Sequence, residues 1–145
     1  MNTVNPAVRL RGPDESSQPG RNLRQWWTSI TILLAATFFM EAVFAGAMLS
    51  GLGWARKAHA ASAMMLIAST LVAGLAALVG LRRIPHGLRL GSTLLSLAAV
   101  ALLQAAVGAL SAKGANLTWI HVPLGVALVG LAGLAVTAAR RLGGP

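Results

Sequence analysis

The chain has no cysteine and no tyrosine, and only three acidic residues against twelve lysines and arginines in 145 positions. Without cysteine there can be no disulfide, no thiolate metal centre and no thiol nucleophile. Asp14 and Glu15 stay in the N-terminal stretch, so Glu41 is the sole acid within an apolar run. Ser-His-Asp chemistry has no aspartate to draw on there. Charged residues make up 10 % of the chain and hydrophobic ones 56 %, with a mean hydropathy of +0.70, a composition far outside that of soluble domains. The net charge of +9 is no nucleic-acid footprint, because the basic residues sit at the ends of apolar runs rather than in one patch. The expected partner is the lipid bilayer, and no nucleic-acid partner is expected.

Four apolar runs are present, at about 27–50, 57–81, 88–111 and 117–139. Each is close to the ~20 residues that ~30 Å of hydrocarbon requires at 1.5 Å per residue. They predict an all-α integral membrane protein, an antiparallel four-transmembrane-helix bundle occupying residues 26–141. Residues 1–25, with Pro6, Pro13, Pro19, Gly12, Gly20 and four arginines, read as a disordered cytoplasmic tail. Arg9, Arg11, Arg21, Arg24, Arg82, Arg83, Arg89, Arg140 and Arg141 flank one side of the runs, whereas Arg56, Lys57 and Lys113 flank the other. Nine against three predicts both termini inside. Trp26 and Trp27 would then anchor the inner interface, and Trp54 and Trp119 the outer one. Ala45-Gly46-Ala47 has the form of a signal-peptidase site, but no secreted domain follows it and the apolar pattern continues to Leu49. Heavy use of Ala, Gly, Leu and Arg suggests a GC-rich prokaryote, hence its plasma membrane.

The chemistry-bearing groups fall into a repeat. Glu41 is followed by Gly46-Ala47, a polar turn, Trp54 and His59; Gln104 is followed by Gly108-Ala109, a polar turn, Trp119 and His121. His59 and His121 each belong to the first turn of an inward-running helix, about 5 Å below the outer interface. Glu41 and Gln104 come out roughly 10–14 Å deep. An ionisable group in hydrocarbon is costly unless it faces the bundle interior and finds a partner. For Glu41 and Gln104 the plain reading is an interhelical hydrogen bond that fixes packing. For the histidines the plain reading is a bond to a backbone carbonyl or a lipid headgroup. Two histidines at one depth on alternate helices are also placed as an axial pair for a haem iron, with Arg56, Lys57 and Lys113 near enough to pair with propionates. Proton transfer and other metals remain open to the same imidazoles. Zinc or non-haem iron through His59, His121 and Glu41 is disfavoured by the greater depth assigned to Glu41.

His86, between Pro85 and Gly87 in the arginine-rich loop, reads as a solvated loop residue. Ala42, Gly46 and Ser50 form a small-residue row, and Gly125, Gly130 and Gly133 thin the fourth helix, for close helix approach or for space around a bound ring. Asn116 or Thr118 is expected to cap the fourth helix, and Pro123 to fall near its start.

The segment Leu103-Gln104-Ala105-Ala106-Val107-Gly108-Ala109-Leu110, followed by a short turn and Ile120-His121, resembles part of the haem A synthase family. That family has two four-helix halves, each with a histidine in its second and fourth helices, and residues 30 to 140 resemble one half. The resemblance implies that His59 and His121 are the axial pair and that haem b is the cofactor, with Gly46-Ala47 matching the first-helix step. Two departures stand out. Arg56 occupies the position of an acidic residue in the family's substrate half, and residues 50 to 57 replace a long cysteine-bearing loop. The resemblance therefore implies a haem-binding scaffold without the oxidising site, and not haem A synthesis.

Three functions compete. The first is a small cytochrome b-like membrane protein holding one haem near the outer face for electron transfer or haem handling, more plausibly a carrier than an enzyme. The second is a structural or assembly subunit of a larger membrane complex or a homo-oligomer. The third is a proton-coupled exporter resembling the small multidrug-resistance family, with Glu41 as its proton site. The missing tyrosine and the strong Lys/Arg bias count against the third.

Overall fold

In hydrocarbon every backbone N–H and C=O must be satisfied within the segment, and four long runs of Ala, Leu and Val do so by folding as helices. The computed structural model describes residues 18–144. It contains α1 (Gln18–Leu49), α2 (Gly53–Gly80), α3 (Gly87–Ala112) and α4 (Thr118–Arg140), with no strand among the described residues. All four are long and apolar enough to cross a membrane. At most 28 % of the most apolar window of any helix is buried. The remaining apolar surface faces outward, as lipid as the surrounding solvent demands. The chain is thus a small multi-pass membrane protein.

Two helices start earlier than the apolar runs indicate. α1 begins at Gln18, so residues 18–25 of the expected tail are helical, while residues 1–17 lie outside the described residues. Arg21, Asn22 and Arg24 ride on this extension, which hydropathy alone does not detect because helical geometry tolerates polar residues. α2 begins at Gly53 rather than near residue 57, which moves His59 from the first turn into the second. The expected cap of α4 is not found: Leu117 is its N-cap and makes no side-chain cap bond. His86 is more than a solvated loop residue. It is half-buried at the N-cap of α3 with φ 63°, a left-handed conformation that histidine enters more readily than most side chains.

Packing pairs join α1 to α2, α2 to α3, α3 to α4 and α4 back to α1, so α2 and α4 stand diagonally across a closed ring. α2 and α3 approach most intimately through reciprocal glycines. A Cβ on Gly74 would lie 2.7 Å from the Leu95 side chain, and one on Gly91 would lie 2.7 Å from that of Leu78. Gly130 and Gly133 meet nothing within 4 Å, so their expected role in helix approach is not seen.

The core is confined to one half of the bundle, the half carrying the termini. Leu34 and Phe38 of α1, Leu66, Ile67 and Ala77 of α2, Leu90, Leu94, Leu97 and Ala101 of α3, and Leu128, Ala132 and Ala135 of α4 belong to it. Beyond Phe38, Leu66, Ala101 and Leu128 the helices carry smaller or polar inward residues, and the bundle is hollow.

Candidate functional site

That hollow is a cavity of about 300 Å³ to which all four helices contribute. Phe38, Leu66, Ala101 and Leu128, the core residues that border it, form its floor. Glu41, His59, Gln104 and His121 all line it, so the four polar residues singled out by the repeat are gathered in one place. Ala42 and Gly46 of the small-residue row line it too, and a Cβ on Gly46 would meet nothing within 4 Å. The row leaves space rather than bringing helices together.

Each half of the repeat pairs its polar residue with its own histidine, in two different ways. Glu41 Oε2 stands 2.6 Å from His59 Nδ1, an ion-pair distance that does not meet hydrogen-bond angles. Gln104 Nε2 donates a 2.7 Å hydrogen bond to the backbone carbonyl of His121. The plain expectation for Gln104, an interhelical bond that fixes packing, is met. Glu41 is not too deep for His59. It lies eight residues before the end of α1 and His59 six residues into α2, axial offsets of about 12 and 9 Å, which a glutamate side chain bridges.

The two imidazoles meet edge-on, with ring centroids 6.5 Å apart and planes at 84°. Gly108 makes the His121 position available, since a Cβ there would lie 2.7 Å from the ring's Cε1. Gly125 does the same for the Gln104 carboxamide, with a Cβ 3.0 Å from Nε2. Gly108 follows Gln104 by one helical turn, and this i, i+4 spacing was the signal for its role.

Seven buried side-chain polar atoms lack a hydrogen-bond partner among the described residues, and only Thr70 Oγ1 is remote from this cavity or its rim. The others belong to Glu41, His59, Gln104, Ser111 and His121. Two of these atoms, Glu41 Oε2 and His59 Nδ1, stand against each other at 2.6 Å, which leaves Glu41 Oε1, Gln104 Oε1, Ser111 Oγ and His121 Nδ1 as polar atoms without a partner at this end. No group of three or more His, Cys, Asp or Glu side chains able to hold a metal occurs among the described residues. Arg56, Lys57 and Lys113 are exposed and do not line the cavity, although they belong to the same end of the bundle.

At that end Trp54 packs edge-on against Phe44, with centroids 6.3 Å apart, and Trp119 is exposed; Trp26 is exposed at the other end. Exposed tryptophans at both ends match the aromatic belts of membrane interfaces. α1 continues unbroken through Ala45-Gly46-Ala47 and supplies one wall of the cavity. Fold and site define a small polytopic membrane protein with a largely apolar cavity lined by Glu41, His59, Gln104 and His121. No known protein family, characterised protein or solved structure matches the chain.

Proposed function

We propose that the protein is a small cytochrome b-like membrane protein that holds one haem b between His59 and His121, for electron transfer or haem handling. The observation that carries this reading is the imidazole pair. Their ring centroids lie 6.5 Å apart, so His59 and His121 together would hold one metal ion between them. The donor chemistry fits, since paired histidines are established axial ligands and the walls are apolar. Bound there, haem would supply one-electron redox chemistry.

The chain's own residues do the rest. Glu41 Oε2 stands at Nδ1 of His59, which leaves Nε2 of that ring as the atom that would hold an iron. Gln104 fixes the α4 backbone at His121, and Gly108 admits the ring. Phe38, Leu66 and Leu128 close the floor and keep water out of the lower bundle. Arg56, Lys57 and Lys113, at the cavity end but outside the cavity, would meet propionates only at its rim. The Lys/Arg asymmetry supports a topology with both termini in the cytoplasm of a prokaryotic cell, so that the cavity opens toward the outer face.

The test is the absorption of protein purified from haem-replete membranes. A Soret band is expected in the parent protein and its loss in both His59→Ala and His121→Ala. A colourless parent protein, or a band that survives both substitutions, overturns the proposal in favour of a packing or assembly role.

A further inference from the structure

A second cleft lies at the end of the bundle carrying the termini, between α1 and α4. It measures about 210 Å³ and is lined by Arg24, Gln25, Thr28 and Ser29 of α1 and Arg140 of α4. Every lining side chain is polar: two guanidiniums, a carboxamide and two hydroxyls. Arg24 and Thr28 are one turn apart on α1, as are Gln25 and Ser29, so the four form two adjacent rows on one helix face.

Nothing anionic in the described chain answers these arginines. Glu41 is the one carboxylate side chain among the described residues, it is engaged with His59, and it lies seventeen residues from Arg24, about 25 Å along α1. An anion lying between two guanidiniums that line one cleft offsets their mutual repulsion, and the planar fork of arginine matches phosphate oxygens bidentately. Thr28 and Ser29 add hydroxyl donors to the same space.

The next turn of each row changes character. Arg24–Thr28 continues to Ile32, and Gln25–Ser29 to Leu33, both exposed apolar residues. Trp26, 71 % exposed, follows Gln25 in the chain, at the level where an interfacial tryptophan belongs. A polar, doubly basic cleft above an exposed apolar strip has the layout of a lipid: phosphate in the cleft, acyl chains below it.

We propose that the cleft between Arg24 and Arg140 binds a phosphate group, and that this phosphate is the headgroup of an anionic phospholipid. The site is independent of the haem reading and at the opposite end of the bundle. Its test is native mass spectrometry of the full chain in detergent, titrated with phosphatidylglycerol, with phosphatidylcholine, and with inorganic phosphate as competitor. Phosphatidylglycerol is expected to be retained in preference to phosphatidylcholine, and Arg24→Gln and Arg140→Gln are each expected to weaken it about five-fold. An Arg82→Gln/Arg83→Gln variant, with the same end of the molecule discharged elsewhere, is expected to bind as the parent does. Displacement by inorganic phosphate would support the phosphate site but assign it to a soluble anion; no displacement assigns it to lipid. Equal retention of both lipids, or equal weakening in the Arg82/Arg83 variant, overturns the site.

Discussion

At the residue scale, the function rests on how a few side chains are held. Glu41 fixes His59 through Nδ1, and loss of such an outer partner typically weakens metal retention roughly 10–100-fold. Glu41→Ala is accordingly expected to lower haem retention by that order while leaving the bundle folded, as measured by haem content against circular dichroism. Gly108→Ala would drive a methyl into the His121 ring and is expected to abolish or shift the Soret band, whereas Gly130→Ala, with open space around it and no place on the cavity wall, is expected to leave the band unchanged. These residues differ in how far they could be read from sequence. Glu41, His59, Gln104 and His121 stood out because polar groups are conspicuous in an apolar chain. Gly108 stood in the repeat, but its task of admitting the His121 ring depends on a neighbour on another helix.

At the element scale, hydropathy was enough to place four helices but not their ends. The extension of α1 to Gln18 and of α2 to Gly53 runs through polar or weakly apolar residues, and the second of these decides whether Glu41 and His59 can meet. Helix contacts were less legible still. Gly74 and Gly91 hold α2 and α3 close, yet the sequence draws attention instead to Ala42, Gly46 and Ser50, whose row borders empty space. At the turn into α3 a Cβ on Gly87 would fall 2.0 Å from the Leu81 carbonyl oxygen, a backbone atom that cannot move aside alone. Gly87→Ala is expected to destabilise the protein by about 3 kcal/mol, at the upper end for overpacking, in a denaturation titration in detergent. Gln104→Leu removes one interhelical hydrogen bond and is expected to cost only ~0.6 kcal/mol in the same assay.

At the scale of the whole molecule, the bundle divides into a packed half that provides stability and a hollow half that provides a site. The core ends at Phe38, Leu66, Ala101 and Leu128, and the polar groups lie beyond them on the inward faces of all four helices. The repeat anticipated this arrangement, because two copies of one pattern on antiparallel helix pairs deliver their histidines to the same end and to diagonal helices. It did not anticipate the division of labour between the copies, in which one polar residue holds an imidazole and the other a backbone carbonyl. The proposed function requires the two imidazoles to share one iron. Absorption and electron paramagnetic resonance spectra of the parent protein from haem-replete membranes test it most directly. One low-spin haem per chain is expected, with a strongly anisotropic ferric signal from rings crossed at 84°; a colourless protein, or a high-spin haem with an open axial position, would contradict it.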